Sequence, residues 1–238
     1  MIIENVFSGT YIERPNRFTV KFRSVGVTGL AHLRDPGRLK ELLTPDAELL
    51  LRRAQKTSNR KTKFDVLAVL YKNRWVLINS GFHSDIAADL IESNLLTEFD
   101  GFNIEKREYT YGKSRLDFFL SNNNLDEKLL LEVKGCTLVE DGLAKFPDAP
   151  TIRGKRHLDE LIKAKEEGLN SAVLFLILRN DATEFYPNWE MDPDFSNTLQ
   201  KAQEKGVIIN AYSFEITLKN RYLKINPFKS VKIVINDL

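Results

Sequence analysis

Two apolar runs constrain this chain more than anything else in it. Ser114-Arg115-Leu116-Asp117-Phe118-Phe119-Leu120 and Lys128-Leu129-Leu130-Leu131-Glu132-Val133-Lys134-Gly135 are each of strand length, and the loop between them is polar and rich in Asn. They are expected to form consecutive antiparallel strands, and each carries charge where a buried strand should carry none. Side chains two apart on a strand share a face, so Glu132 and Lys134 point one way while Leu131 and Val133 point the other. With a connecting loop over 121–128, Leu120 faces Leu129 and the register sets Asp117 opposite Glu132. Two adjoining carboxylates repel unless a cation lies between them. Carboxylate oxygens suit a hard divalent ion, Mg²⁺ or Mn²⁺, and Lys134 could then act on an attacking water or on charge developing at a phosphate. The bland alternative is a set of ion pairs on a strand, and the spacing leaves both readings open.

The rest of the chain falls into two patterns. Residues 6–12, 17–24, 25–33, 48–53, 64–71 and 75–78 are strand-like, with a short helix expected over 38–43 between Asp35-Pro36-Gly37 and Thr44-Pro45. So many short strands in so short a stretch suggest a small closed barrel of the OB type over 1–80, which commonly binds nucleic acid. Between two of its strands, Arg52, Arg53, Lys56, Arg60, Lys61 and Lys63 lie in a segment with no acid. Such a loop is either a solvated surface or a track for a phosphate backbone.

From residue 81 the periodicity changes. Helices are expected over 83–99, 153–167 and 196–205, and strands over 104–111, 172–178, 207–214, 216–225 and 231–235, around the charged hairpin, with 137–151 irregular. This describes a mixed sheet with helices on its faces over 81–238. Asp148, Arg153, Lys155, Arg156 and His157 crowd together, and Thr151 is placed to cap a helix carrying the last four in its first turns, where a phosphate would fit. An Arg153–Asp148 pair pinning the loop is the competing explanation. Arg115, beside Asp117, is a further candidate for phosphate or DNA contact.

Composition narrows the chemistry. The chain has 238 residues, net charge +2 and a single cysteine, Cys136. That cysteine count excludes an intrachain disulfide and a Cys-based zinc site, and the mild net charge does not by itself announce a nucleic-acid partner. The start lacks the basic and apolar pattern of a secretory signal and no run reaches membrane-spanning length, so a cytoplasmic protein is expected. Nothing in the sequence opposes a homodimer.

Three motifs carry a resemblance to a known family. Tyr111-Gly112-Lys113-Ser114-Arg115-Leu116-Asp117-Phe118 is the first, and Leu131-Glu132-Val133-Lys134-Gly135-Cys136-Thr137-Leu138 is the second. Phe146-Pro147-Asp148-Ala149-Pro150-Thr151-Ile152-Arg153-Gly154-Lys155-Arg156-His157-Leu158 is the third. They resemble the sugar fermentation stimulation protein A family, as do Asp192-Pro193 and Ala202-Gln203-Glu204-Lys205-Gly206-Val207. The resemblance implies an N-terminal OB-like barrel, a C-terminal domain similar to the PD-(D/E)XK nucleases, and DNA binding, with RNA a further candidate. Asp117, Glu132 and Lys134 fall on that superfamily's catalytic pattern, which also tends to take a carboxylate from upstream. Glu108 is the first candidate there, ahead of Asp89 and Glu92. One departure is that Asp35-Pro36-Gly37 follows His32 where many bacterial members show Asn-Thr-Gly. The expected function is therefore metal-dependent phosphodiester hydrolysis on DNA. The alternatives are a non-catalytic DNA-binding regulator of sugar catabolism that keeps the nuclease-like fold, and a binding protein for a phosphorylated metabolite.

Overall fold

The computed structural model describes residues 1–54 and 62–235. Its strands are β1 (Ile2–Ile3), β2 (Phe7–Asn16), β3 (Thr19–Ser24), β4 (Val27–His32), β5 (Glu48–Arg53), β6 (Phe64–Tyr71) and β7 (Arg74–Leu77). Then follow α1 (His83–Glu92), β8 (Asn103–Tyr111), β9 (Ser114–Asn122), β10 (Glu127–Cys136), β11 (Val139–Glu140) and β12 (Leu143–Phe146). The remainder is α2 (Ile152–Glu166), β13 (Asn170–Ile177), β14 (Glu184–Pro187), α3 (Pro193–Glu204), β15 (Ile208–Lys219), β16 (Tyr222–Ser230) and β17 (Lys232–Ile233). The chain divides into two compact units. One holds Met1–Phe82, Leu178–Asn180 and Phe214–Phe228; the other holds His83–Ile177, Asp181–Ser213 and the C-terminal segment from Lys229.

In the first unit, β4, β3, β2, β5 and β6 are hydrogen-bonded neighbours, and a parallel pairing of β4 with β6 (Ala31↔Phe64, His32↔Asp65) closes them into a barrel. Closure removes the sheet edges that would otherwise invite pairing with other chains. Alternation decides what fills the interior. Val20 and Phe22 on β3 point inward while Lys21 and Arg23 point out, and Phe22 meets Phe64 edge to face at 5.3 Å. Residues 38–43 do not form the expected helix. Leu39 has φ +50, which a right-handed helix cannot accommodate, and the N–H groups of Leu42 and Leu43 both turn back to its carbonyl. This single turn presses Leu39, Leu42 and Leu43 into the barrel core, where each buried leucine contributes about 1.5–3 kcal/mol.

The second unit is built on a mixed sheet in the order β8, β9, β10, β13, β15. β10, β13 and β15 run parallel, while β9 lies antiparallel to β10 and β8 antiparallel to β9. Parallel neighbours need long crossovers, which α2 and α3 supply. Their apolar faces (Leu158, Leu161, Phe195, Leu199) join Leu130, Val173, Phe175 and Ile177 in one core. Leu131 and Leu174 alternate to the other face, and Ile86, Ala87, Leu90 and Ile91 of α1 are buried where that helix meets β10 and β13.

Two differences from the sequence-based expectation have local causes. α1 ends at Glu92 rather than running to residue 99, because Asn94 turns left-handed (φ +53) and Ser93 Oγ bonds back to the Leu90 carbonyl. The stretch 137–151 contains a hairpin, β11 to β12, turned by Asp141 (φ +48) and Gly142 (φ +86) in the geometry that Asp-Gly favours. With β14 and β17 it makes a separate four-stranded sheet, seated on the core through Phe185 against Phe175 and Phe146 against both Phe175 and Phe195. No helix among the described residues is long and apolar enough to cross a membrane.

Candidate active site

The charges of the hairpin converge where β9 and β10 part. Leu129 pairs with Leu120 as the sequence suggests, and the paired positions run on to Leu131↔Phe118. Beyond that point, one residue short of Asp117 and Glu132, the ladder ends and a side-chain bond takes over. Asp117 Oδ2 accepts the backbone N–H of Val133 at 2.7 Å, which fixes its carboxyl on β10 next to the Glu132 position. Burial and the neighbouring charge of Glu132 push the Asp117 carboxyl up to about 7, against the pull of that N–H, Lys134 and Arg153. Glu132 goes the other way. Burial alone would raise it, but Lys134 and His157 together hold it below the usual carboxylate range.

Glu132 is 3% exposed, and its two oxygens are treated differently. Oε1 takes the Lys134 ammonium at 2.5 Å and the Nδ1 nitrogen of His157, while Oε2 is buried with no hydrogen-bond partner among the described residues. An unsatisfied buried carboxylate oxygen is costly, and a catalytic role, a water or an ion are among the accounts it calls for. His157 reaches this point from α2, whose N-terminus is held twice. Thr151 Oγ1 accepts the Gly154 N–H at 2.9 Å, and Asp192, itself the N-cap of α3, accepts the Thr151 N–H at 2.7 Å. Asn188 adds a bond to the Pro147 carbonyl at 2.9 Å. The loop before α2 is thus tied to the α3 side by Asp192, noted in the sequence only as part of the family resemblance, and by Asn188, which carried no signal. The Asp-Pro helix start at Asp192-Pro193 was the signal available for one of them.

The other candidate residues are distributed as follows. Arg153 is exposed on α2, one turn from His157, and its Nε donates to His157 Nε2 at 3.3 Å. Lys155 pairs with Asp159 at 3.2 Å, and Asp148 is half-buried in the loop ahead of the helix. Glu108 stands across from Asp117, since Arg107 pairs with Phe118 and Tyr109 with Leu116. Its φ of +54 turns the side chain aside, however, and its carboxylate lies 3.5 Å from Arg115, both being exposed. In the barrel unit, Arg52 is half-buried over the Phe82 ring with Nε 3.6 Å from buried Asp65, whereas Arg53 is exposed. Lys56 and Arg60 lie outside the described residues.

His83, which opens α1, carried no sequence signal. Its ring lies against Gly135 on the face of β10 opposite Glu132 and Lys134, and burial, followed by the charge of Lys134, pushes it down to about 4. A Cβ on Gly135 would come within 2.1 Å of His83 Cε1. Gly135→Ala should therefore destabilise the protein by about 1–3 kcal/mol, read as a lower urea midpoint at unchanged slope. An unchanged midpoint would mean that His83 moves aside freely.

A small closed barrel followed along the chain by a mixed-sheet α/β unit, with Asp, Glu and Lys gathered where two strands part, defines an OB domain joined to a restriction-endonuclease-like domain. Family models agree. Residues 12–78 match the SfsA N-terminal OB domain, and residues 81–220 match the sugar fermentation stimulation protein RE domain. The chain belongs to the sugar fermentation stimulation protein family. It is 53% identical to a sugar fermentation stimulation protein homolog of Methanothermobacter thermautotrophicus over 98% of this chain and 95% of that one. A homolog in Methanosphaera stadtmanae is 48% identical over 98% of both. The solved structure of Pyrococcus furiosus SfsA in complex with Ca²⁺ is 26% identical, covers 98% of both chains and superposes with a TM-score of 0.89.

Proposed function

We propose that this protein binds DNA and hydrolyses its phosphodiester bonds at a divalent-metal centre built on Asp117 and Glu132. The observation that carries the reading is the asymmetry of Glu132. One oxygen is held by Lys134 and His157, and the other is buried without a partner beside a second carboxylate. These residues fit a hard cation. Among the described residues no group of three or more His, Cys, Asp or Glu is arranged to hold a metal ion, so this centre would rest on the two carboxylates and leave the ion's other positions to water and phosphate oxygens. That the Pyrococcus furiosus relative was solved in complex with Ca²⁺ supports a divalent ion as the partner. A bound Mg²⁺ or Mn²⁺ would polarise a phosphoryl oxygen and lower the pKa of a coordinated water.

The chain's own groups do the rest. Lys134 shares the strand face of Glu132, where its ammonium can neutralise charge on the phosphate or steer the water. Among the described residues the exposed guanidinium of Arg153 bonds only through Nε, so its Nη side can take a phosphate in bidentate fashion. Wild-type protein is expected to cut duplex DNA with Mg²⁺ or Mn²⁺ and not with EDTA. Binding without cleavage under either ion would support the regulator instead, and cleavage of RNA alone would change the substrate.

The barrel supplies the proposed backbone contact through Arg53 and the basic segment after it. Arg53→Ala should weaken DNA binding evenly across sequences and reduce the slope of log affinity against log salt by about one. An unaltered slope would remove Arg53 from the interface.

A further inference from the structure

The residue that holds Glu132 in place is itself held, and the direction of its hydrogen bonds is determined. Arg153 Nε–H can only donate, so the His157 Nε2 that it meets at 3.3 Å accepts and carries no proton. The ring's proton is then on Nδ1 and is donated to Glu132 Oε1. His157 is 1% exposed, so it does not reach a phosphate in solvent; its two nitrogens are spent on Arg153 and Glu132. Lys134 Nζ, 3.4 Å from the same Nδ1, converges on the same oxygen. Both donors therefore crowd onto Oε1, and this leaves Oε2 open.

We propose that Arg153 and His157 are positioning residues, a hydrogen-bonded relay that presents Oε2 of Glu132 to the metal by keeping Oε1 occupied from the α2 side. This rests on the metal-site reading above. Without the ring, the Glu132 carboxylate is free to swing onto Lys134 with both oxygens, and the ammonium then competes with the ion. The relay also explains why α2 is capped at Thr151 and tied to Asp192, because Arg153 and His157, four apart on one helical face, must keep their distance from β10. Arginine suits the outer position in a way lysine does not. Its Nε–H serves the relay while its Nη groups remain for a phosphate.

The test is Mn²⁺ uptake by the full chain without nucleic acid, followed by the electron paramagnetic resonance of free Mn²⁺. His157→Leu should weaken binding by about 10–100-fold, the usual effect of losing a group that orients a metal ligand. His157→Asn, whose amide nitrogen can sit where Nδ1 sits, should recover most of that loss, and His157→Gln, whose nitrogen lies nearer the Nε2 position, should not. Arg153→Lys keeps the charge and loses the Nε–H, so it should weaken binding in the wild-type background and have no effect beside His157→Leu. Wild-type affinity in a folded His157→Leu protein, or equal recovery by Asn and Gln, would overturn the relay. A wild-type protein that takes up no Mn²⁺ would overturn the metal site itself, and the relay with it.

Discussion

Glu132→Gln is expected to abolish metal-dependent cleavage while leaving the fold intact. The amide keeps the shape of the side chain and one acceptor for Lys134, but it removes the charge that a divalent ion needs at the buried Oε2. Metal ligation of this kind supplies several kcal/mol of transition-state stabilisation, and each 1.36 kcal/mol is a factor of ten in rate, so the loss should be about a thousandfold or more. Gln is the informative replacement. Ala would also strand a half-buried ammonium and a buried imidazole, and removing one partner of a buried pair costs up to about 3–5 kcal/mol of stability. Cleavage of plasmid DNA by purified Glu132→Gln protein, with circular dichroism to confirm folding, decides the matter. Undiminished cutting would move the chemistry elsewhere.

Asp117→Asn should also lose activity, and it should make the metal-free protein more stable at alkaline pH. In the folded protein Asp117 keeps its proton up to about 7, whereas the unfolded chain loses it near the ordinary value of 3.8. Between these values the folded state binds more protons, so the group's contribution is complete below the lower value and is lost as pH rises through about 7. Three pH units at 1.36 kcal/mol each put a ceiling of about 4 kcal/mol on the loss. Asparagine cannot ionise, and its carbonyl can still accept the Val133 N–H. The stability difference between variant and wild type, measured by urea unfolding in EDTA, should therefore grow in the variant's favour by roughly 2–3 kcal/mol from pH 5 to pH 8, where about two of those units fall. A constant difference would show that burial and Glu132 do not hold a proton on Asp117. Added Mn²⁺ should narrow the gap at pH 8, because an ion that binds only the folded carboxylate stabilises the wild type.

Much of the frame was legible because it depends on short-range periodicity. The barrel strands announced themselves through alternation and turn residues, and α2 through Thr151 and its apolar spacing. The Leu120–Leu129 register followed from loop length alone. The segment 38–43 shows where that reasoning stops. Its leucines have helical spacing, but a left-handed Leu39 converts them into a plug whose shape answers to the barrel interior. β11 and β14, of two and four residues, were invisible for a related reason. Strands that short exist only because a partner edge is present.

The opening hairpin divides in the same way. By itself the sequence determined that two strands must carry buried charge, that Glu132 and Lys134 share a face, and that Asp117 stands on the neighbouring strand. These are consequences of a two-residue period and a loop length. Tertiary structure alone decided that Asp117 accepts the Val133 N–H, and that Glu108 turns away to Arg115 although register sets it across from Asp117. It also decided that His157 arrives from α2 to occupy one oxygen of Glu132 and leave the other bare. The reason is physical. Hydrogen-bond direction and burial belong to groups brought together from residues far apart in the chain, and no local pattern encodes which oxygen of a carboxylate is left without a partner.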